Sequence, residues 1–379
     1  MRSISRSHNN NLTLEDVDGL LSLTSKELES RYQGEITPEA VRMILAIQRG
    51  SKMGAGEGWF GPAESRYSWD WLARRHGINA NQSISAEKFL GPRDWFVQLD
   101  RNRDEQITAE DLDWSEENAW VKQAYIINRL FRRIDHSGTG LLSRDNWLNF
   151  FDKHVGGAGN MEFEDLRDAI LSGGHDMFHQ GDAPSREALI EGLRTGELGS
   201  PCEGPNVNDP APDFCLMTYD GEQSIRLSEL LGTKPVVLVF GNFTCPPFRS
   251  MAPGADAVYG RFGNSAHFLC VYVREAHPID GWRMASNDNV GIEVSQPTSY
   301  KSRVSNARRC QASLRTTMPL LVDEMDDSTG HAYSGMPDRL YVIDRTGNVA
   351  YKSGRGPFGF RVSEMEQALV MALLEQALE

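Results

Sequence analysis

The pattern of apolar and polar positions divides the chain into two parts. Before about residue 195, apolar residues recur at helical spacing between short polar loops. After about residue 212, runs rich in Val, Leu and Tyr alternate with amphipathic stretches, which is typical of an α/β domain. The stretch between them, TGELGSPCEGPNVNDPAPD, collects Gly, Pro, Asn and Asp without apolar periodicity. The sequence therefore predicts an all-α first half and an α/β second half.

These boundaries predict four segments of different character. We expect a helical N-terminal segment, a helical domain, a linker and an α/β domain, at 1–60, 61–195, 196–212 and 213–379. The first segment should contain helices around Thr13–Ser22 and Pro38–Ile47. A linker rich in Pro and Gly normally permits independent motion, so a fragment beginning near Pro205 is expected to fold alone.

Composition and charge restrict the class of protein. The 379 residues are 40% hydrophobic and 24% charged, which is ordinary for a folded soluble chain. A formal net charge of −14 argues against binding to nucleic acid or to an anionic membrane. The sequence contains no run of about 18 apolar residues, so no membrane span is predicted. The five cysteines are few and irregularly spaced, so we expect a reducing, cytoplasmic location.

The first candidate for cation binding is the stretch DRNRDEQITAED, residues 100–111. It matches the twelve-residue loop of an EF-hand in register, with an apolar Ile107 at the eighth position. Glu105 replaces the usual glycine, and the last ligand is an aspartate in place of the longer glutamate, so the loop should bind calcium weakly or prefer magnesium. The predicted oxygen ligands are Asp100, Asn102, Asp104, Gln106 and Asp111.

A second stretch, DHSGTGLLSRDN at residues 135–146, has the same register but fewer charged ligands. Its candidate ligands are Asp135, Ser137, Thr139 and Asn146, of which only Asp135 is a carboxylate. We expect it to be the weak or empty partner of the first loop, joined to Ile107 by a short two-stranded ladder. The weaker echoes at 77–88 and 176–187 are interpreted as plain helical hairpins.

The strongest candidate for covalent chemistry is Cys245, in the stretch FGNFTCPPF. It follows the apolar run Pro235–Phe240, a predicted buried strand, and precedes a predicted helix that begins with two prolines. A cysteine at a helix N-terminus has its pKa lowered to roughly 3.5–7.5, because the positive end of the helix dipole favours the thiolate. Thr244 and Arg249 are the local polar partners. The alternative is a buried cysteine that only packs.

Three separate blocks of the second half carry a family resemblance. They are TCPPF at 244–248, YVREAHPIDGW at 272–282 and RLYVIDRTGNVAYKSGRGPFGF at 339–360. Together they resemble the iodothyronine deiodinase family, with a cysteine in the place of the selenocysteine. The resemblance implies a thioredoxin-like three-layer α/β domain, which here would follow an EF-hand-like all-α domain.

The resemblance also implies roles for individual residues. Cys245 would be the nucleophile, with Thr244, Glu275 and His277 as its polar partners. Arg355, in the glycine-rich loop, would meet the substrate together with Arg249 and with Pro337, a candidate cis-proline. The apolar run at 267–273 is a predicted strand whose end would place Glu275 and His277 at the carboxyl edge of the sheet.

Phe248 occupies the third position after Cys245, so a dithiol exchange of the thioredoxin type is not predicted. We expect a thiol-dependent oxidoreductase that acts on a halogenated or peroxide small molecule and is regenerated by an external thiol such as glutathione or thioredoxin. Cys310 and Cys215 are possible resolving residues, although packing roles are expected for both. The other hypothesis is a calcium-responsive binding or scaffold protein whose redox domain is silent.

Overall fold

The computed structural model describes residues 12–33, 37–51, 62–115, 117–136, 138–155, 159–171, 184–356 and 359–377. The helices of the described residues before the linker are short and mostly bounded by polar loops. They are α1 Leu14–Leu21, α2 Ser25–Arg31, α3 Glu39–Gln48, α4 Trp69–Arg75, α5 Arg93–Leu99, a 3₁₀ turn Glu110–Leu112, α6 Ala119–Ile134, α7 Arg144–Val155, α8 Phe163–Leu171 and α9 Arg186–Thr195. We refer to described residues up to 195 as the helical region.

Strands and helices alternate after the linker, as the apolar pattern predicts. The helices are α10 Leu227–Leu230, α11 Pro246–Phe262, α12 Ala285–Asp288, α13 Tyr300–Leu314, α14 Ser328–Ala332 and α15 Val362–Ala377. The strands of the whole described chain are β1 Glu64–Ser65, β2 Ile84–Ser85, β3 Gln106–Ile107, β4 Cys215–Thr218, β5 Ser224–Arg226, β6 Val236–Gly241, β7 His267–Tyr272, β8 Leu320–Val322, β9 Arg339–Ile343 and β10 Val349–Lys352. We refer to residues 213–377 as the α/β region.

A mixed sheet of eight strands forms the centre of the α/β region, in the order β1-β10-β9-β6-β7-β8-β4-β5. Strands β6, β7 and β8 are parallel, whereas β9 runs antiparallel to β6 and forms a hairpin with β10. The unit β6-α11-β7 followed by β9-β10-α15 is a thioredoxin-like fold. All of β6 is buried, which explains the uninterrupted apolar run VVLVFG.

The helical region contributes to this sheet. Strand β1 pairs antiparallel with β10, through Glu64 opposite Lys352 and Ser65 opposite Tyr351. The Tyr67 hydroxyl donates to Glu375 on α15 at 2.8 Å. A fragment beginning near Pro205 would lose these contacts, so the two regions are more closely coupled than the composition of the linker predicts.

The expected ladder between two polar loops exists, but with a different partner. Ile107 of β3 pairs with Ile84 of β2, and both side chains are fully buried. Ile84 belongs to the stretch 77–88, which the sequence alone indicated as a plain hairpin, and that interpretation is wrong. Leu142 of the second loop instead packs beside Ile134 and Phe150. The spacing of the loops along the chain did not identify the strand that pairs with Ile107, because two apolar residues can form such a ladder whatever their separation in sequence.

The expected helices of the first segment are present as α1 and α3, and they form a second, smaller core together with α2 and α9. Val17 and Leu20, Leu28, Ile44 and Leu193 are among its buried residues. Helix α3 begins after Pro38, and its first residue, Glu39, is only 3% exposed. A buried carboxylate requires cationic or hydrogen-bonding partners, and the α/β region supplies them.

Candidate active site at the start of α11

Cys245 lies at the carboxyl edge of the sheet, where the chain leaves β6 and enters α11. It is the N-cap residue of α11 and is followed by two prolines, which suit positions that need no N–H donor. The Phe248 ring packs over the end of β6, where a Cβ at Gly241 would lie 2.1 Å from it. Cys245 itself is only 1% exposed.

The residue in contact with the thiol is Asp338, which the sequence analysis did not identify. Cys245 Sγ donates to Asp338 Oδ2 at 3.2 Å, and the carboxylate is fully buried. The Met336–Pro337 peptide bond is cis, as the resemblance implied, and Asn242 Nδ2 donates to the Pro337 carbonyl at 3.0 Å. The position of Asp338 directly after the candidate cis-proline was the available signal.

The electrostatics of the thiol differ from the expectation. Burial and then the Asp338 carboxylate raise the pKa of Cys245 well above its ordinary value, against the smaller opposing effects of the Phe248 backbone and Arg249. Burial likewise raises the pKa of Asp338 to about 7. The predicted lowering of the Cys245 pKa by the helix N-terminus is therefore wrong, because the thiol is buried and the Asp338 carboxylate competes for the same proton.

A second buried carboxylate, Glu275, organises the loop before Cys245. Its Oε2 accepts from Thr244 N at 3.1 Å and lies 2.9 Å from the Thr244 hydroxyl. Its Oε1 accepts from the Tyr272 hydroxyl and from Asn306 Nδ2 at 3.3 Å. Burial raises the pKa of Glu275 in spite of these hydrogen bonds. Glu275 therefore fixes the backbone of Thr244 and is a candidate site for a proton.

His277 joins the same loop mainly through its backbone. Its N–H donates to Thr244 Oγ1 at 3.0 Å. The imidazole Nδ1 lies 3.2 Å from the Trp282 carbonyl oxygen, and the two rings meet edge to face at 4.6 Å between centroids. The structure thus joins Thr244, Glu275 and the His277 backbone in one hydrogen-bonded loop next to Cys245, and the role of the His277 imidazole in proton transfer stays a prediction.

Arg249 also stabilises the loop before Cys245 through hydrogen bonds. Its Nη1 donates to the Phe243 carbonyl at 2.7 Å and its Nη2 to Asn287 Oδ1 at 2.8 Å. Asn287 Nδ2 in turn donates to the Thr244 carbonyl at 2.8 Å. Burial lowers the pKa of Arg249 to about 10. With its guanidinium bonded to the protein and 3% of the residue exposed, Arg249 holds the loop and does not face a substrate.

Arg355, the expected substrate-binding arginine, lies in an ionic cluster instead. Its Nη2 lies 3.0 Å from Glu39 Oε2 and donates to Ser334 Oγ at 2.7 Å. Arg339 Nη2 bonds both Glu39 oxygens, at 2.9 and 3.1 Å. Arg355 is 1% exposed. Because its resemblance-based role needs an accessible guanidinium, the described structure does not offer Arg355 to a substrate.

The carboxylates of the first polar loop accept hydrogen bonds from the loop itself. Asp100 accepts from Asp104 N and Glu105 N at 3.2 and 3.0 Å, and Asp111 accepts from Thr108 N at 2.8 Å. No group of three or more His, Cys, Asp or Glu able to hold a metal occurs among the described residues. Asn102 and Asp104 also accept hydrogen bonds within the loop, from Asp104 N at 3.0 Å and Gln106 N at 2.9 Å.

The second loop shows the same arrangement. Asp135 accepts from Thr139 N at 3.3 Å and Gly140 N at 2.7 Å. Asn146 Oδ1 accepts from Ser143 N at 2.8 Å, which caps α7. Ser137 lies outside the described residues. The donor sets of both loops are therefore of a suitable type for a hard cation, and cation binding stays a prediction.

Comparisons with known proteins agree with the site. The family described as iodothyronine deiodinase matches residues 203–372. Thyroxine 5-deiodinase of Rattus norvegicus is 38% identical over 157 residues, 41% of this chain and 50% of that protein, and the Homo sapiens enzyme is 37% identical over the same length. The Sparus aurata enzyme is 32% identical over 184 residues, 48% of this chain and 67% of that protein.

Solved structures with some likeness to the chain cover less than half of it. A putative thiol:disulfide interchange protein DsbE from Chlorobium tepidum is 20% identical, with a TM-score of 0.33, over 45% of this chain and 99% of that chain. The chain spans about half the length of the first curated relatives that it matches. Within the described residues, no helix has the length and apolar character needed to cross a membrane. From residue 203 to residue 372, the chain belongs to the iodothyronine deiodinase family.

Proposed function

We propose that the protein is a thiol-dependent oxidoreductase in which Cys245 is the nucleophile toward a halogenated or peroxide small molecule. The observation that carries the proposal is the contact of Cys245 Sγ with Asp338 Oδ2 at 3.2 Å, at the start of α11 and beside the Glu275 network. A buried carboxylate with a pKa of about 7 is suited to accept the thiol proton near neutral pH.

The chemistry balances with one cysteine and an external thiol. The Cys245 proton passes to Asp338, and the thiolate attacks either the halogen of a carbon–halogen bond or the distal oxygen of a hydroperoxide. The product is a sulfenyl halide or a sulfenic acid, and the carbon or alkoxide that leaves takes a proton. One external thiol then forms a mixed disulfide with Cys245 and releases halide or water, and a second thiol restores the Cys245 thiol and forms the external disulfide. Glutathione or thioredoxin is of the required class.

Turnover of iodinated phenols and of hydroperoxides with dithiothreitol tests this proposal. The Cys245→Ser variant should lose all activity, whereas Cys215→Ser should retain it, because Cys215 is exposed on β4 at the other side of the sheet. Equal activity of wild type and Cys245→Ser, or no turnover of any of these substrates by wild type, would refute the assignment.

One observation favours the second candidate, a binding or scaffold protein with a silent redox region that responds to calcium. Cys245 and Arg355 are both almost fully buried, each at 1% exposure. A silent protein would show no turnover and would retain its stability in Cys245→Ser. The cytoplasmic location and cation binding at 100–111 remain proposals that the turnover experiment does not address.

A further inference from the structure

Asn242 lies between the end of β6 and Cys245 and is fully buried. Its side-chain amide joins three segments of the site. The Nδ2 donates to the Pro337 carbonyl at 3.0 Å, and the Oδ1 accepts from Ala276 N at 3.1 Å. The same Oδ1 lies 3.1 Å from the Thr244 hydroxyl. Asn242 therefore connects the loop before Cys245, the loop after β7 and the segment that precedes β9.

The register of the sheet explains why a side chain makes the contact with Pro337. Strands β6 and β9 are antiparallel, with Phe240 opposite Arg339. Two residues further along each strand, Asn242 faces Pro337. Proline has no N–H, so the regular exchange of main-chain hydrogen bonds cannot form at this position. The main-chain carbonyl of Asn242 instead accepts from Cys245 N at 3.4 Å, and the amide side chain supplies the donor to the Pro337 carbonyl.

The two main-chain partners determine the orientation of the amide. A carbonyl can only accept and a main-chain N–H can only donate, so the NH₂ group must face Pro337 and the oxygen must face Ala276. An aspartate of the same shape would lack the donor, and a leucine would lack both groups. Asparagine is therefore the residue of this size that satisfies both neighbours.

Asp338 comes directly after the residue that Asn242 holds. Its carboxylate accepts from Cys245 Sγ at 3.2 Å, and its main-chain carbonyl accepts from Gly356 N at 3.0 Å. The pairing of β9 with β6 begins only at the next residue, Arg339. The hydrogen bond from Asn242 thus joins the loop that carries the thiol to the chain just before the carboxylate. Without that bond, Asp338 can move away from Sγ.

We propose that Asn242 is a positioning residue that holds the Asp338 carboxylate within hydrogen-bond distance of Cys245 Sγ. When the Sγ proton passes to Asp338 Oδ2, Asn242 neither gives nor takes a proton, because its hydrogen bonds go to other atoms. Its effect on the thiol is therefore exerted through Asp338. Its part in turnover rests on the proposed function, but its effect on the thiol does not.

The test is a double-mutant cycle in the full chain, measured by pH titration of the Cys245 thiolate. Thiolate ultraviolet absorbance, with the matching Cys245→Ser protein subtracted, requires no reagent to enter the buried site. A nearby carboxylate raises the pKa of a thiol, so Asn242→Leu, which releases Asp338, should lower the midpoint by about one pH unit. In the Asp338→Asn background, Asn242→Leu should change the midpoint by less than about a third of that amount.

A second variant and a matched control separate positioning from stability. Asn242→Ser keeps a polar group that is one bond shorter than the amide, and it replaces the leucine variant if that one does not fold. The control is Gln367→Leu. Gln367 is a buried amide that accepts from Trp114 Nε1 at 2.8 Å and donates to the Asp111 carbonyl at 3.1 Å, both in the helical region. Gln367→Leu should lower stability and leave the midpoint unchanged.

Kinetics give a second reading of the same cycle. Among substrates that wild type turns over, Asn242→Leu should lower kcat about tenfold or more, with a change in KM of less than about twofold. The same substitution should cause no further loss in the Asp338→Asn background, because the two residues act as a unit.

An unchanged midpoint in folded Asn242→Leu would overturn the inference. An equal change in the Asp338→Asn background would also overturn it, because the effect would then be a general loosening of the site. The titration distinguishes the inference from the proposed function. A wild-type protein with no turnover, but with a midpoint that depends on Asn242 only when Asp338 is present, would refute the activity and keep the positioning role. Turnover with a midpoint independent of Asn242 would do the reverse.

Discussion

Glu39 and Asp338 are two buried carboxylates of the same molecule with opposite titration behaviour. Burial acts to raise the pKa of Glu39, but Arg339, Arg355 and Lys352 together lower it to about 2. Burial raises the pKa of Asp338 to about 7, because its hydrogen bond from Cys245 and the charges of Arg132 and Arg339 are too weak to reverse the effect. Both carboxylates are buried to a similar depth, so the number of cations bonded to each one determines the direction of its pKa shift.

The difference separates two uses of a buried acid. Glu39 stays ionised at any ordinary pH and ties α3 to β9 and to the loop that carries Arg355. Asp338 changes its protonation near neutral pH and shares a proton with the Cys245 thiol. We therefore expect the first carboxylate to determine stability and the second to determine reactivity.

The largest expected effect is that of Glu39→Gln on stability. The variant leaves two buried guanidinium groups without their anion, which should lower the free energy of unfolding by about 3–5 kcal/mol. Urea-induced unfolding measures this change in the free energy of unfolding. The control is Glu29→Gln, which breaks an ion pair with Arg49 that is half-exposed on both sides and should cost less than about 1 kcal/mol. Equal losses in the two variants would mean that the ionic cluster does not hold the regions together.

The next effect is on the pH dependence of stability, with opposite signs for the two acids. The pKa of Glu39 is lowered on folding, so its contribution of about 3 kcal/mol is present above the unfolded pKa of about 4 and is lost as the pH falls toward 2. The pKa of Asp338 is raised on folding, so stability falls as the pH rises between about 4 and about 7.

Unfolding at a series of pH values separates the two contributions. Glu39→Gln should remove the acid-side slope, and Asp338→Asn should flatten the slope between about pH 4 and 7. A slope of the same sign in both regions would contradict the comparison between the acids.

The features that the sequence predicted well are those that depend on neighbouring residues in the chain. The apolar run at 235–240 predicted a buried strand, and β6 at Val236–Gly241 is buried throughout. The position of Cys245 at the start of the following helix was also predicted. Glu275 was placed correctly at a strand end, but its full burial depends on Tyr272 and Asn306 reaching it from other positions. Local sequence patterns located the candidate site residues but did not predict which residues surround them.

The features that the sequence did not predict depend on contacts between segments that are far apart in the chain. Asp338 reaches Cys245 because β9 runs beside β6, with Phe240 opposite Arg339. Glu39 meets Arg339 across 300 residues of chain. The direction of the Cys245 pKa followed from that burial, so a prediction from the helix dipole alone gave the wrong sign. No periodicity in the sequence encodes such partners.

A smaller effect is expected for the hydroxyl that supports Glu275. Tyr272→Phe removes a hydrogen bond to Glu275 and leaves the Phe243 N–H, which lies 3.2 Å from that oxygen, without an acceptor. We expect a loss of about 1–3 kcal/mol and a further rise of the Glu275 pKa. Chemical unfolding measures the loss, and Tyr259→Phe, whose ring packs on Phe268 at the far end of α11, is the control. No difference between the variants would make the Tyr272 hydroxyl dispensable.

The smallest effect concerns Asp100, a carboxylate whose hydrogen-bond partners are backbone N–H groups rather than cations. Asp111 stands in the place of the longer glutamate that gives calcium two oxygens, so any binding should be weak. Titration calorimetry should show a heat of calcium binding that Asp100→Ala removes and Asp135→Ala leaves unchanged. The reverse pattern would show that the ranking of the two loops is wrong.

The ionic cluster around Glu39 also has a consequence for the order of events during synthesis. Glu39 leaves the ribosome long before Arg339 and Arg355 exist, since 300 and 316 residues separate them. Its charge must stay hydrated until those arginines emerge, because a buried unpaired carboxylate is too costly. Domains usually fold in the order of translation, but here α3 can dock only after β9 has been made. Helix α3 can therefore complete the ionic cluster only when translation has passed residue 355, more than 100 residues after Cys245 has been made.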